Sequence, residues 1–446
     1  MKHLLQKYDT PAPRYTSYPT VPYWTDSPTV EECIESLETH LSPKDSKLAM
    51  YLHIPFCETL CTFCGCNTSI TKNHTVEEPY VKAIRTELDL YMQSVPSLKG
   101  KELIELHLGG GSPTYLSDYN LQSTIESILN QLPSSKDPQY SIEVDPRRTR
   151  ISQLKLLHNL GFKRISLGVQ DFDPEVQRLV NRTQPFELTE TITLEARSLG
   201  FNSINFDLIY GLPKQSLNSM LYTMEKTLEL KPDRIAFYSY AHVPWIKASQ
   251  RLFTEADLPD PTLKRELYEM GRSLLEKEGY REIGMDHFAL PHDKLWKAFH
   301  SKQLHRNFMG YSDSKTDVML GLGSSAISET PNLFFQNIKL EMKYRKSLLE
   351  GNLPILRGHK LSDSDRLRKH LILELMTSWE VKVPIDLLNH TKDFLSEMEK
   401  DKLVLWNQET LSVTESGKPF LRIIAMAFDE KLQTTKPAGP VFSKAI

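Results

Sequence analysis

The sequence has no surplus of either charge. Across 446 residues, 54 Lys and Arg stand against 57 Asp and Glu, a net of −3. A balance so even gives no reason to expect nucleic acid or an anionic membrane surface as partner. No long apolar run occurs either. The longest uncharged apolar stretch near the C-terminus, Ile423 to Phe428, is far too short to cross a bilayer. The first ten residues, Met1 to Thr10, carry no apolar core or cleavage pattern of a signal peptide, so a soluble, cytoplasmic protein is expected. Cysteine is scarce, five in all. Disulfide scaffolds spread cysteines through short secreted chains; here four of the five crowd between positions 57 and 66. Repeats and low-complexity tracts are absent. With 39% apolar residues, the chain can bury a large core in more than one domain.

What is present first is a rhythm. Leu48 to Phe56, Leu103 to Leu108, Tyr140 to Val144, Arg164 to Val169, Asn202 to Ile209 and Arg234 to Tyr240 read as buried strands. Helical patterns separate them: about 77–93, 118–131, 151–160, 188–199 and 217–230. Six strand–helix alternations predict an α/β fold with a parallel sheet, open or closed. Function in such sheets sits beyond the C-terminal strand ends. Cys57, Gly109 to Gly111, Asp145, Gln170 with Asp171, and Gly211 all fall there. Residues 1–46 are Pro- and Tyr-rich and then helical from Thr29. Residues 245–360 mix helices with long loops. From Ser362, a plausible N-cap, helices and a hairpin around Asn407 suggest a winged-helix-like C-terminal domain. Residues 361–446 hold 12 basic and 13 acidic side chains, which argues for a packing or lid domain over a DNA reader.

The chemistry is concentrated in Cys57-Glu-Thr-Leu-Cys61-Thr-Phe-Cys64-Gly-Cys66. Three thiolates at spacings of four and three residues can wrap one face of a [4Fe–4S] cubane and leave one iron open for a ligand. The competing reading is a closed zinc site of all four cysteines, although structural zinc more often uses two separated pairs. Cys33 stands apart in a helical pattern and reads as a packing residue. Phe63, between ligands, would shield a cluster or simply pack the loop. His107-Leu-Gly-Gly-Gly-Ser-Pro-Thr114 lets backbone approach a ligand closely. Glu143 and Asp145 can bind hydroxyls, balance a positive charge, or cap a turn. His287, His292, His300 and His305 have a spacing that fits no compact metal site.

The C-x3-C-x2-C spacing resembles that of the radical S-adenosylmethionine superfamily. Over nearly the full length the chain resembles the oxygen-independent coproporphyrinogen III oxidase family. The resemblance rests on Pro13 to Thr20, Tyr51 to Cys57, Cys64-Gly-Cys66, Ser141 to Arg147, Gly168 to Phe172, Val176 to Arg182, Asp207 to Gln215, Tyr240 to Pro244, Gly284 to Ala289 and His305 to Phe308. It implies a partial (β/α)6 barrel with a mainly helical C-terminal domain. The divisions are then 1–46 as a segment covering the active site, 47–244 as the barrel, 245–360 as a substrate-covering extension and 361–446 as the C-terminal domain. It implies oxidative decarboxylation of two propionates of coproporphyrinogen III to vinyl groups through a 5′-deoxyadenosyl radical.

By motif position, Cys57, Cys61 and Cys64 would hold one [4Fe–4S] cluster. A first S-adenosylmethionine would meet Tyr51, Gly110 and Glu143. A second would meet Phe63, Gly111, Ser112, Gln170, Arg182, Asp207, Ala241 and Ile327. Tyr51, His53 and Cys66 are candidate catalytic residues. Arg14, Arg182, Lys214 and Arg306 are candidates to pair with substrate carboxylates. A flavodoxin- or ferredoxin-type electron donor and a monomer are implied, with no nucleic acid or membrane partner. The chain departs from the family pattern at Ser112 (Thr), at Met309 (Gln) and across Gly310 to Gly321. Two other readings stand beside this one: a haem-binding chaperone or another radical enzyme of the superfamily, and a zinc protein with a winged helix.

Overall fold

The computed structural model describes residues 2–24, 27–435, 439 and 441–444. Six parallel strands follow one another in the sheet in chain order: β1 (Leu48–Ile54), β2 (Leu103–Gly110), β3 (Ser134–Val144), β4 (Arg164–Gln170), β5 (Ser203–Tyr210) and β6 (Arg234–Ser239). Every side chain of β1 is buried except Tyr51, as expected for a strand covered on both faces. The crossover helices Glu77–Ser94, Asp118–Leu129, Ile151–Asn159, Phe186–Leu199 and Leu217–Leu230 coat the outer face. Their apolar sides, among them Ile84, Leu88, Ile125, Leu157 and Met224, join one core with the strands. Each such side chain stabilises the fold by about 1.5–3 kcal/mol through area removed from water. Cys33 is completely buried in that core, on helix Val30–Leu41.

The sheet is longer than the six predicted strands. Val318–Leu322 pairs in parallel with β1 on its free edge, making a seventh parallel strand. Ile327–Thr330, Leu333–Asn337 and Ile355–Lys360 continue it antiparallel. On the opposite edge, His287–Ala289 and Arg281–Ile283 add to β6. The sheet therefore ends in antiparallel strands on both sides and stays an open, partial barrel. Residues 281–360, which read as helices and loops, owe these strands to pairing with β1 and β6, which lie far away in sequence.

Ser362 caps helix Asp363–Ser378 by accepting from the Asp365 amide at 3.1 Å. Helix Ile385–Lys400 and a three-stranded sheet of Glu380–Lys382, Val404–Asn407 and Thr410–Val413 complete a winged-helix-like order. This unit shares its core with the start of the chain: Leu4, Leu5, Tyr15 and Tyr18 pack among Ile372, Leu375, Ile424 and Phe428. Arg422, buried, donates to the carbonyls of Pro13 and Ala12.

Candidate active site

The cysteine loop leaves the end of β1 and is pinned from several sides. Phe56–Cys57 pairs with Ser69–Ile70 and closes its base. The Thr62 amide donates to Val180 O at 3.1 Å, and Asn181 Nδ2 donates to Leu60 O at 2.8 Å. Phe63 packs with Val176, Val180, Leu212 and Tyr240. Cys57, Cys61, Cys64 and Cys66 all face one cavity of about 550 Å³ enclosed by the barrel.

Cys61 is singled out by two guanidinium groups. Arg182 Nη1 lies 3.5 Å and Arg147 Nη2 3.7 Å from its Sγ. Asp145 holds both arginines, at 2.7 Å from Arg147 Nη2 and 3.5 Å from Arg182 Nη2. Burial pushes the Asp145 carboxyl up, but the two arginines outweigh it and hold it below its usual value. Three thiols on one loop, with N–H donors and positive charge aimed at a sulfur, fit an anionic iron–sulfur cluster. Among the described residues no three His, Cys, Asp or Glu side chains converge closely enough to hold a single metal ion.

The glycine run after β2 forms the adjoining wall. Gly110 has φ +120°, and a Cβ there would meet the His53 ring at 2.8 Å; one on Gly111 would meet Pro55 O at 2.6 Å. The Gly110 amide donates to Glu143 Oε2 at 3.2 Å. Glu143 ends β3 with nearly half its side chain open to the cavity. Enclosure raises its carboxyl pKa, yet His107 at 3.4 Å, the Gly110 amide and His53 outweigh that and keep it lowered. Asp207 behaves oppositely. Burial and the charge of Glu143 push it up to about 7 against hydrogen bonds from Ser166 and Asn205. The cavity thus holds two carboxylates kept as anions, Asp145 and Glu143, and one, Asp207, poised near neutrality.

Of the predicted cofactor residues, Phe63, Gly110, Gly111, Glu143, Gln170, Arg182, Asp207 and Ala241 line the cavity with the cysteines. Gln170 sits at φ +70°, a left-handed conformation that costs a non-glycine residue about 1 kcal/mol or more. Tyr51 and His53 lie behind the glycine wall. His53 Nε2 donates to Asn67 O at 2.9 Å, so Nδ1 accepts from Tyr51 Oη at 3.0 Å. Burial lowers the His53 pKa, which agrees with a neutral ring. Ser112 faces the outer side of the loop with Cys57 and Tyr115. Ile327 is not brought to the cavity; it packs with Trp24, Phe334 and Leu361.

Arg14 reaches the cavity from the N-terminal segment, donating to Ser239 O at 2.7 Å beside the Tyr238 ring. Lys214 is outside, paired with Asp257, and Arg306 is buried against the Arg14 and Tyr15 carbonyls. The four histidines are dispersed: His292 pairs with Asp233 at the surface, His300 stacks on Trp296, His305 lies on a short hairpin strand and His287 lines the cavity. Sequence reasoning gave no role to Arg147, Tyr238, His287 or the cavity arginines Arg164 and Arg234. Arg147 and His287 carried a signal: both fall in stretches that resemble the family, and Arg147 lies two residues beyond Asp145 at a strand end.

The comparisons with known proteins agree with this geometry. A profile of the Radical SAM superfamily matches residues 51–227. The chain is 38% identical over 439 residues to the oxygen-independent coproporphyrinogen III oxidase of Helicobacter pylori (strain J99), covering 96% of each chain. It is 38% identical over 455 residues to that of Escherichia coli (strain K12), covering 99% and 98%. The solved coproporphyrinogen III oxidase of Escherichia coli, described as a radical SAM enzyme, superposes with a TM-score of 0.90 at 35% identity over 96% of this chain and 98% of that one. The chain belongs to the oxygen-independent coproporphyrinogen III oxidase family of radical SAM enzymes, whose chemistry runs on a [4Fe–4S] cluster and S-adenosylmethionine.

Proposed function

We propose that this chain converts coproporphyrinogen III to protoporphyrinogen IX without molecular oxygen, oxidatively decarboxylating two propionates to vinyl groups in haem biosynthesis. The observation that carries this reading is the pairing of a cysteine loop fit for a cluster with likeness to these enzymes along the whole chain, winged-helix-like unit included. When bound, the cluster and S-adenosylmethionine would supply a 5′-deoxyadenosyl radical to take a hydrogen atom from the propionate β-carbon, the one next to the pyrrole ring; carbon dioxide then leaves and an electron acceptor takes the remaining electron.

The chain's own residues hold and shield. Cys57, Cys61 and Cys64 bind the cluster, with Arg147 and Arg182 offsetting its charge at Cys61. Gly110 and Glu143 would receive the first S-adenosylmethionine: the Gly110 backbone leaves room, and the anionic Glu143 carboxylate would offset its positive charge or accept from its hydroxyls. Tyr51 and His53 brace the glycine wall from behind. A second S-adenosylmethionine would be held by Gln170, Arg182, Asp207 and Ala241, all on the cavity wall. Arg14 pairs with a substrate carboxylate. The N-terminal segment and residues 245–360 exclude water from the radical. Cys66, beside Cys64, remains outside the ligand set. The enzyme works in the cytoplasm as a monomer, with an electron from a flavodoxin- or ferredoxin-type donor.

The test is anaerobic turnover of the reconstituted protein with S-adenosylmethionine, coproporphyrinogen III and a reductant, read by mass spectrometry. Protoporphyrinogen IX, carbon dioxide and 5′-deoxyadenosine are expected, and none from Cys61→Ser. 5′-Deoxyadenosine with unchanged tetrapyrrole would refute the substrate.

A further inference from the structure

The cysteine loop is also held by two segments from later in the chain. Lys247 Nζ donates to Cys66 O at 2.8 Å, and Gln250 Nε2 donates to Phe63 O at 3.0 Å. From the other flank, the Lys339 carbonyl accepts from Asn67 Nδ2 at 3.0 Å. The two segments meet the loop at Cys66 and Asn67, two and three residues past the last cluster-binding cysteine.

Lys247 and Arg251 belong to the first of these segments, Lys339 to the second, and Arg357 to the strand paired beside the second. Arg251 is held on the Pro244 carbonyl, Arg357 on Gln336, and Lys247 on Cys66, while Lys339 is exposed. None of the four has a carboxylate partner among the described residues. Burial, then Arg357 and Lys247, lower the Lys339 pKa, so these charges lie close enough to repel. Like charges left together weaken the fold unless a negative surface relieves them. Trp245, Ile246 and Leu340 stand exposed on the same segments, and none of the three lines the cavity. Apolar contacts within a charged rim have the composition of a transient protein interface. Neither Lys247 nor Lys339 lines the cavity, so these charges do not face a small-molecule substrate inside it.

We propose that the surface formed by Trp245, Ile246, Lys247, Arg251, Lys339 and Arg357 docks a small acidic protein that carries a reduced flavin or iron–sulfur group. The inference rests on the functional reading above, which needs an electron from outside the chain. At each docking, one electron leaves the carrier's cofactor, which is oxidised by one electron, and passes to the cluster held by Cys57, Cys61 and Cys64. Acidity of the carrier follows from the unpaired positive rim, and it makes docking fast and salt-sensitive.

The test uses the full-length reconstituted enzyme and the Lys339→Glu/Arg251→Glu variant, with Ile246→Ser as a second variant of the apolar centre. Turnover of coproporphyrinogen III is driven by reduced flavodoxin in one series and by dithionite in another. The charge reversal should raise the KM for flavodoxin about tenfold or more and flatten its salt dependence. Dithionite-driven kcat and the KM for coproporphyrinogen III should not change. An unchanged flavodoxin KM in both variants would overturn the proposal. So would a rise in coproporphyrinogen KM with either reductant, which would assign the surface to substrate. If dithionite drives no turnover of the unaltered enzyme, the functional reading fails, and docking is judged by calorimetric titration with flavodoxin: equal Kd for enzyme and variant overturns it.

Discussion

Replacing Gly111 with alanine separates two uses of a glycine run, room for a ligand and room for the protein's own backbone. A Cβ at this position would stand 2.6 Å from the Pro55 carbonyl oxygen and 2.8 Å from that of Phe56. Both are backbone atoms at the base of the cysteine loop. The Gly111 amide donates to Ile54 O at 2.8 Å and the Ser112 amide to Phe56 O at 3.0 Å, so the segments cannot part without straining both bonds. Carbon–oxygen contacts relax near ~3.3 Å, which asks for a displacement of about 0.7 Å. Overpacking of this kind costs about 1–3 kcal/mol. With an unfolding entropy of about 2.1 cal/mol/K per residue, a chain of 446 residues loses only about 1 °C in Tm per kcal/mol. The stability loss is therefore small, about 1–3 °C by calorimetry. Displacing a cofactor wall by nearly 1 Å is expected to slow 5′-deoxyadenosine formation on the order of 100-fold. Gly65→Ala is the control. It lies between Cys64 and Cys66, yet a Cβ there meets nothing within 4 Å. Iron per chain and 5′-deoxyadenosine formation after anaerobic reconstitution are the readouts. Wild-type rates from Gly111→Ala, or equal damage from Gly65→Ala, would refute the steric reasoning.

Other outcomes follow from the same contacts. Arg147→Met removes one N–H donor and one positive charge from Cys61, and cluster reduction should become harder by on the order of 50 mV, read by redox titration against electron paramagnetic resonance. Glu87, buried beneath Tyr344, Asn337 and the Gly323 amide, is pushed up to about 7 by burial. Its folded pKa exceeds the unfolded one, so the stability it lends is present below about pH 4.5 and is lost as pH rises to 7, a change on the order of 3 kcal/mol. That slope of Tm against pH should be shallower in Glu87→Gln, and an unchanged slope would contradict the assignment. Arg422→Met takes two carbonyl bonds from residues 12–13 and should expose the N-terminal segment to limited proteolysis well before the barrel is cut.

The barrel was legible because each strand is a short apolar run followed by an amphipathic helix, a local pattern that needs no knowledge of the partner. Helix Leu217–Leu230 and the Ser362 cap emerge at the expected residues for that reason. Val318–Leu322 was not legible: its strand character comes from pairing with β1, and no crossover helix announces it. In the site, the cysteines and glycines were readable as motifs, since spacing alone limits what they can bind. The convergence of Arg147 and Arg182 on Cys61 was not, because it depends on Asp145 drawing in one arginine from its own strand end and one from the loop after helix Pro174–Leu179. Ile327 shows the reverse: a position carried over from a family pattern falls in this chain inside a separate apolar cluster, next to the divergent loop.

The shared core of the two chain ends sets an order of events during synthesis. Tyr15 bonds Asp429 across 414 residues, and Leu4, Leu5 and Tyr18 are buried by the same late-made helices. At about 5–20 residues per second, these partners emerge roughly 20–80 s after the N-terminal segment leaves the ribosome. The barrel, whose contacts run between neighbouring strands, can assemble within that interval. Its cysteine loop is thus formed while the segment that carries Arg14 still lacks its anchors at Tyr15 and Tyr18, giving iron–sulfur assembly a time window that closes when the last helices fold.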